Sequence, residues 1–467
     1  MRARYLIPLA MLAVGACKPG PNYERPALPA PQAFRDSMAR DTVRRDTTFA
    51  DLPWWRVFQD TTLQRLVRIA VDQNLDLQVA AERVLQAEGR LGITRSDLYP
   101  SVTASATADR SGTDESSPYQ AYRGGVNVFW ELDLFGRIRR STERERAFLL
   151  ATEEARRGVV LSLVSTVAAS YVNLRTLDQQ LVVARRTADS RREYVAIARQ
   201  RFEGGVTGEI DYRQAQAQYE DARTIVINLQ ESIANQEHAL STLLGNAPGA
   251  IPRGRSLESQ PLPASVPVGL PSSLLERRPD LREAEARLAA LTANVGVAKA
   301  QLYPNISLTG ALGLASVEIG NYSQDAATWS LGASLFQSIF QGGRLRANVR
   351  VSESQMREGI LSYRAAVLRA LQETEDALVA VRLAGDRTAS LDSQVVYNRI
   401  VLRLAEIRYE GGVAQYLEVL DAQRQLLNTE LLAADARRQR LLAYVNLYRA
   451  LGGGWQQDPT ATAAPTR

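Results

Sequence analysis

The chain is written twice, and that repetition limits what it can fold into. The segment NLDLQVAAERVLQAEGRLGITRSDLYP at 74–100 recurs as RPDLREAEARLAALTANVGVAKAQLYP at 278–304, an offset of 204. Asp76/Asp280, Leu77/Leu281, Ala80/Ala284, Arg83/Arg287, Gly92/Gly296 and the Leu-Tyr-Pro triplets 98–100 and 302–304 all match. RFEGGVTGEID at 201–211 recurs as RYEGGVAQYLE at 408–418, an offset of 207 that Arg137/Arg344, Val160/Val367, Leu174/Val381, Leu244/Leu451 and Gly245/Gly452 share. The change of offset falls between the two anchor regions, where a loop belongs. Two structural repeats, 57–245 and 272–455, are therefore expected, joined by a Pro/Gly-rich linker at 246–271 and followed by a tail at 456–467.

Within each half the long segments carry a helical period. Val160, Val164, Val167, Tyr171 and Leu174 alternate steps of four and three, as do Val367, Leu371, Thr374, Leu378 and Val381. That spacing makes a coiled-coil-like seam. One helix is expected from Arg137 to Phe202, a break at Gly204-Gly205, and a return from Gly208 to Leu244. At 1.5 Å per residue the long helix spans roughly 99 Å; the return (roughly 55 Å) and a preceding helix over 72–98 (roughly 40 Å) together nearly match it. Helices over 343–409, 415–451 and 276–302 repeat the scheme. A two-layer helical rod follows.

Between helices the period drops to two. Val102, Ala104, Ala106 and Ala108 alternate with Ser and Thr; Val126, Val128, Trp130, Leu132 and Leu134 alternate with Asn127, Phe129, Glu131 and Asp133. Ile306, Leu308, Leu312 and Leu314, then Trp329, Leu331, Ala333, Leu335 and Ile339, do likewise. Four strands are expected, at about 101–110, 125–135, 305–315 and 328–340. Each is about ten residues, the length that crosses a bilayer when tilted. Alternation of apolar with small or polar residues suits a membrane barrel with a wet lumen. Tyr119, Tyr122, Trp130, Tyr322 and Trp329 are candidates for an aromatic girdle. Four strands cannot close a barrel, and lipid does not tolerate an open edge, so closure demands several copies. Two copies give a filled eight-strand interior; three give twelve strands and room for a lumen.

The first residues set the compartment. MRAR is a positive start, Tyr5–Ala16 is a short apolar run, and Val14-Gly15-Ala16-Cys17 resembles a bacterial lipoprotein signal. On this reading 1–16 is a removed signal peptide, Cys17 carries the lipid, and 17–56 is a lipid-anchored tether. Lys18 after the Cys points by the same resemblance to the outer membrane. Several acyl chains, at about 0.8 kcal/mol per buried methylene, anchor firmly.

Composition excludes much else. With one Cys and one His (His238), there is no internal disulfide, no Cys/His zinc cluster and no Cys–His catalytic pair. No GxGxxG, P-loop or HExxH occurs, so neither an enzyme nor a cofactor or metal is expected. Acids and bases are interleaved, and the formal charge of +5 falls to +3 without Arg2 and Arg4, so nucleic-acid binding is not expected.

Trp54-Trp55 with Phe58, LQRLVRIAVDQNLDLQVAAERV, WELDLFGR at 130–137, FQGGR at 340–344, RYEGGVAQYLEVLDAQRQLL at 408–427 and LGGGW at 451–455 resemble the TolC-like outer-membrane efflux factors. The lipoprotein branch serving resistance-nodulation-division (RND) pumps is the best likeness. It implies a mainly α homotrimer: a 12-stranded outer-membrane β-barrel continued by a 12-helix periplasmic α-barrel. It also implies a passive duct, coupled by a periplasmic adaptor protein to an inner-membrane RND transporter, for small-molecule export. Type I protein secretion is the alternative within that architecture; a pore-free lipid-anchored rod or adhesin is the alternative outside it. The resemblance puts adaptor contacts at the hairpin tips: Arg201, Gly204, Gly205, Val206 and Thr207, and Arg408, Gly411, Gly412, Val413 and Ala414. The four tip glycines are expected at positive φ, as tight reversal requires. Leu417 and Asp421, one helical turn apart, match the periplasmic gate, where threefold symmetry makes an apolar ring and an acidic ring. Asp211 is the equivalent gate acid of the first hairpin, although its aligned position in the copy is Glu418; stabilisation of its own helix N-terminus is the other reading of Asp211, and pairing with Arg424 at i+3 is the other reading of Asp421.

Overall fold

The computed structural model describes residues 18–27, 31, 34–35, 53, 57, 59–113, 116–262, 271–316 and 327–453. Cys17, the signal peptide, Trp54, Trp55, Phe58, Tyr322 and Trp455 lie outside the described residues, as does the side chain of Tyr119. The elements are α1 (Thr61–Gln73), α2 (Leu75–Ser96), β1 (Ser101–Thr113), β2 (Ser116–Leu132), α3 (Arg137–Glu203), α4 (Glu209–Leu243), α5 (Leu274–Arg277), α6 (Pro279–Ala300), β3 (Asn305–Ser316), β4 (Ala327–Phe336), α7 (Arg344–Glu410) and α8 (Tyr416–Ala450). The fold is mainly helical, with one antiparallel sheet.

The chain divides into two compact units: Met1–Leu28, Ala81–Ala155 and Asp280–Ala366 in one; Pro29–Ala80, Arg156–Pro279 and Val367–Arg467 in the other. Each unit draws on both repeats.

The first unit holds the sheet, in the order β1-β2-β3-β4. The hairpin of each repeat joins the other through β2 and β3, from Tyr122↔Ser316 to Leu132↔Ile306. The register sorts side chains by face. One face carries Thr103, Ser105, Thr107 and Asp109, paired with Asn127, Gly125, Arg123 and Ala121; it continues through Ser307↔Ser334, Thr309↔Gly332, Ala311↔Ser330 and Gly313↔Thr328. Polar contacts run along it: Asn127 Nδ2 to Ser105 Oγ at 3.1 Å, Ser307 with Ser334 at 2.7 Å, and Arg123 with Asp109 at 3.3 Å. The other face carries Val102, Ala104, Ala106 and Ala108 with Val128, Val126, Gly124 and Tyr122, then Leu308↔Ala333, Gly310↔Leu331 and Leu312↔Trp329. Trp329 and Leu331 are 75% and 82% exposed, far beyond what an ordinary strand leaves in water.

Strand limits differ from the sequence expectation in β1, which runs on to Thr113, and in β2 and β4. β2 begins nine residues before 125, because its Ser116–Ala121 stretch pairs with Thr113–Asp109. It stops at Leu132 because Asp133 becomes a helix cap: its carboxylate accepts from Ile138 N (3.0 Å) and Arg139 N (2.8 Å). β4 ends at Phe336 rather than 340. In the same unit residues 18–27 lie on α3 and α6. Tyr23 and Arg25 bind Glu285, and Arg140 donates to Asn22 Oδ1 at 2.9 Å.

In the second unit the seam is buried: Val164, Val167, Tyr171 and Leu174 on α3, and Val367, Thr374, Leu378 and Val381 on α7. The helix expected over 72–98 is interrupted at Asn74. Its side chain caps α2 through Leu77 N (3.0 Å) and donates to Leu243 O at the end of α4 (3.0 Å). Gly245, φ +76, packs so closely on Gln73 that a Cβ would lie 2.5 Å from its carbonyl oxygen. Gly452 meets Arg277 in the same way in the copy, with a Cβ 3.0 Å from the backbone. The repeated Leu-Gly pairs therefore mark matching helix-end junctions.

Asp60 organises the middle of this unit. Its Oδ1 accepts from Thr62 N (2.8 Å) and Leu63 N (3.3 Å), capping α1. Its Oδ2 accepts from Tyr171 Oη (3.2 Å), Arg255 N (3.0 Å) and Gln260 Nε2 (2.8 Å), tying the inter-repeat linker to α3. Burial works against the charge, but these hydrogen bonds outweigh it and hold the carboxyl below its ordinary pKa.

Candidate functional site

The candidate site is the pair of helical hairpin tips, α3–α4 and α7–α8. Each long helix ends in the same six-residue closure. Val206 N donates to Arg201 O (2.8 Å) and Gly205 N to Phe202 O (3.0 Å); Val413 N donates to Arg408 O (3.0 Å) and Gly412 N to Tyr409 O (3.1 Å). This is the Schellman pattern, which needs one left-handed residue. Gly205 (φ +71) and Gly412 (φ +72) supply it. The expectation of positive φ at Gly204 and Gly411 is corrected: both are outside the positive-φ set. They still bond as the last helical turn, Gly204 N to Gln200 O and Gly411 N to Ile407 O. Val206 and Val413 project from the tips, each 70% exposed. Ala414 and Thr207 are half-buried.

One core holds the two hairpins together beneath the tips. Tyr194 and Ala198 of α3 and Ala215 of α4 pack with Ala405 and Tyr409 of α7 and Tyr416, Val419, Leu420 and Ala422 of α8. Tyr416 stacks obliquely on Tyr409 (5.6 Å) and Tyr194 (6.1 Å). Burial pushes the Tyr416 hydroxyl up to about 12. Two arginines at equivalent repeat positions do different work. Arg201 reaches across to the second hairpin, donating to Tyr409 O and Glu410 O (both 3.3 Å) with its guanidinium 4.5 Å over the Tyr409 ring. It thereby caps the C-terminus of α7. Arg408 stays within its own hairpin, paired with Glu418 at 2.9 Å.

Leu417 and Asp421, the residues expected at the gate, share one face of α8. Leu417 is 58% exposed, and Asp421 is exposed beside it. With Val413, Ala414, Gln415 and Glu418 they line one open depression. The Asp421–Arg424 pair does not form: among the described residues Asp421 has no ion-pair partner. The opposite face of α8 (Tyr416, Val419, Leu420, Gln423) is buried. Asp211 and Glu209 sit in the first turn of α4, where the helix dipole favours acids. Asp211 is half-buried, and its charge acts on Tyr416.

Sequence reasoning missed a buried acid above the tips. Glu430 of α8, 5% exposed, is held by Arg186 of α3 and by Arg399 of α7 at 2.7 Å. Arg191, 1% exposed, donates to Gln218 O (2.7 Å) and pairs with Asp221 (3.1 Å). These pairings span up to 244 residues, so no local spacing signals them. Among the described residues no cluster of His, Cys, Asp and Glu could hold a metal ion.

The outer membrane efflux protein family model matches residues 66–246 and 270–453. The chain is 33% identical over 457 residues to the cation efflux system protein CusC of Escherichia coli O6:H1 (97% of this chain, 99% of CusC). It is 35% identical over 460 residues to outer membrane protein OprJ of Pseudomonas aeruginosa (96% and 95%). The solved open state of the Neisseria gonorrhoeae MtrE outer membrane channel superposes with a TM-score of 0.84 at 32% identity, covering 95% of this chain and 99% of MtrE. The chain belongs to the outer membrane efflux protein family.

Proposed function

We propose that three copies of the chain pool their four-stranded sheets into one twelve-stranded barrel in the outer membrane, continued into the periplasm by twelve helices. The observation that carries this is the two-faced sheet. One face is polar or small apart from Phe129 and Phe336 at its helical end, and the other is apolar from that end out to Arg110 and Gln120, while β1 and β4 are left as edges. Lipid requires every strand edge to be paired, and a chain with four strands meets that only by joining β4 to β1 of another copy. The polar face then lines water.

The protein is an outer-membrane efflux duct and not an enzyme. Cys17 carries the lipid anchor, and 17–56 tethers it. The duct is passive; energy comes from an inner-membrane RND transporter, and a periplasmic adaptor meets the tips at Val206, Thr207, Val413 and Ala414. Arg201 serves there by holding α7 in place. Small toxic molecules are the cargo class. Leu417 and Asp421 form the periplasmic gate. Three Leu417 side chains near the axis oppose wetting; three carboxylates repel one another and attract cations. The exposure of both residues supports this, because neither is needed by the fold of its own hairpin. The test is Leu417→Ala with Asp421→Ala. Single-channel conductance in planar bilayers rises, and cells become sensitive to large antibiotics. Unchanged permeability removes the gate assignment.

A further inference from the structure

We propose that the outer rim of the apolar sheet face is a contact surface for the phosphate-bearing headgroups of outer-leaflet lipid, with Arg110 as the anion-binding residue and Gln120 beside it. The inference rests on the reading that this face meets membrane lipid.

The ladder places Arg110 directly opposite Gln120. Both share the face of Val102, Ala104, Ala106 and Ala108 on β1 and of Tyr122, Val126, Val128 and Trp130 on β2. Among the described side chains of this face they are the first charged and amide groups reached from the helical end. The span between is right for a membrane. Val102 to Arg110 is about 27 Å along the strand at roughly 3.4 Å per residue. A tilt of about 40° brings that to about 20 Å of bilayer normal, against an apolar band of roughly 25 Å. Tyr122, two residues inside Gln120 on β2, occupies the interfacial level that aromatic girdles favour. The Arg110 guanidinium thus emerges where hydrocarbon gives way to headgroups, and its long stem lets the charge reach outward.

Among the described residues the remaining donors there have nothing to bind. The Tyr122 hydroxyl donates to Gln120 Oε1 at 2.8 Å, which occupies the amide's acceptor and leaves its NH2 pointing elsewhere. Neither that NH2 nor the Arg110 guanidinium has an acceptor among the described residues. The neighbouring cation, Arg123, is on the opposite face and is held by Asp109. A planar guanidinium beside a second donor suits a phosphate, which a fork of N–H groups binds bidentately.

The experiment uses the full lipidated chain in detergent, as wild type, Arg110→Ala and Arg110→Glu. Native mass spectrometry reads binding of bisphosphorylated lipid A, of dephosphorylated lipid A and of inorganic pyrophosphate; oligomer mass and conductance are read on the same samples. The wild type prefers the bisphosphorylated lipid by about tenfold, the order expected for charge-assisted hydrogen bonds. Arg110→Ala weakens that preference, Arg110→Glu abolishes it, and pyrophosphate does not displace the lipid. Variants that keep the oligomer, the conductance and the full preference overturn the contact. Displacement by pyrophosphate also overturns it, since the site would then bind any anion. A wild type that is monomeric in water without detergent overturns the membrane reading itself, and this proposal with it.

Discussion

Replacing Asp60 by Asn separates the two jobs of its carboxylate. Oδ1 caps α1 through Thr62 N and Leu63 N, and an Asn oxygen does that as well as an Asp oxygen. Oδ2 faces three donors: Tyr171 Oη, Arg255 N and Gln260 Nε2. Asn turns that position into an NH2 group, a donor against donors. Tyr171 cannot simply reverse roles, because it already accepts from Gly254 N at 2.8 Å. Nor can the linker back away easily: Gly254 packs so tightly that a Cβ would lie 2.4 Å from Asp60 Oδ1. Each orphaned buried donor costs about 1–3 kcal/mol, so Asp60→Asn weakens the linker attachment by about 3 kcal/mol. At about 1.4 kcal/mol per tenfold, amide hydrogen exchange over 250–262 accelerates roughly a hundredfold. Asp60→Ala exchanges faster still, having lost the cap too. If Asp60→Asn exchanged within about threefold of wild type, the carboxylate would be a helix cap and nothing more. The pH dependence has a definite sign. The folded pKa lies below the unfolded value of about 3.9, so the stabilisation is complete above that value and disappears as pH falls through the folded one. Linker protection, corrected for intrinsic exchange, is flat from pH 8 to 5 and is lost in acid.

The tip glycines separate by conformation. Gly205→Ala and Gly412→Ala force a Cβ into left-handed backbone and weaken the tips by about 1–2 kcal/mol, read as faster proteolysis there. Gly204→Ala and Gly411→Ala, outside the positive-φ set, have the smaller effect. Glu430→Gln removes a buried carboxylate shared by two arginines; because both arginines are about half-exposed and can turn to water, the loss is about 1–3 kcal/mol in detergent melts. Tyr416→Phe removes a buried hydroxyl that has no hydrogen-bond partner among the described residues, and the melting temperature stays level or rises.

The helices were legible because their signals are local and doubled. The seam from Val160 to Leu174 shows a helical period, and a glycine pair ends each long helix. The strands were legible from the period of two, but their limits were not. Asp133 continues the alternation in sequence, yet its carboxylate binds α3; and Ser116–Ala121 lacks an apolar pattern, yet β1 pairs with it across the hairpin. At the tips the residue types were evident and the division of labour was not. Arg201 and Arg408 occupy matching positions, but only Arg201 finds the carbonyls of the other hairpin. Glu430 and Asp60 are set by partners far along the chain, and no spacing encodes such meetings.

Native mass spectrometry of the full acylated protein, released from detergent micelles, puts the premise of shared closure to the most direct test. The account predicts a species of three times the chain mass, stable until the sheet edges part. A single-chain species that needs no detergent would contradict it.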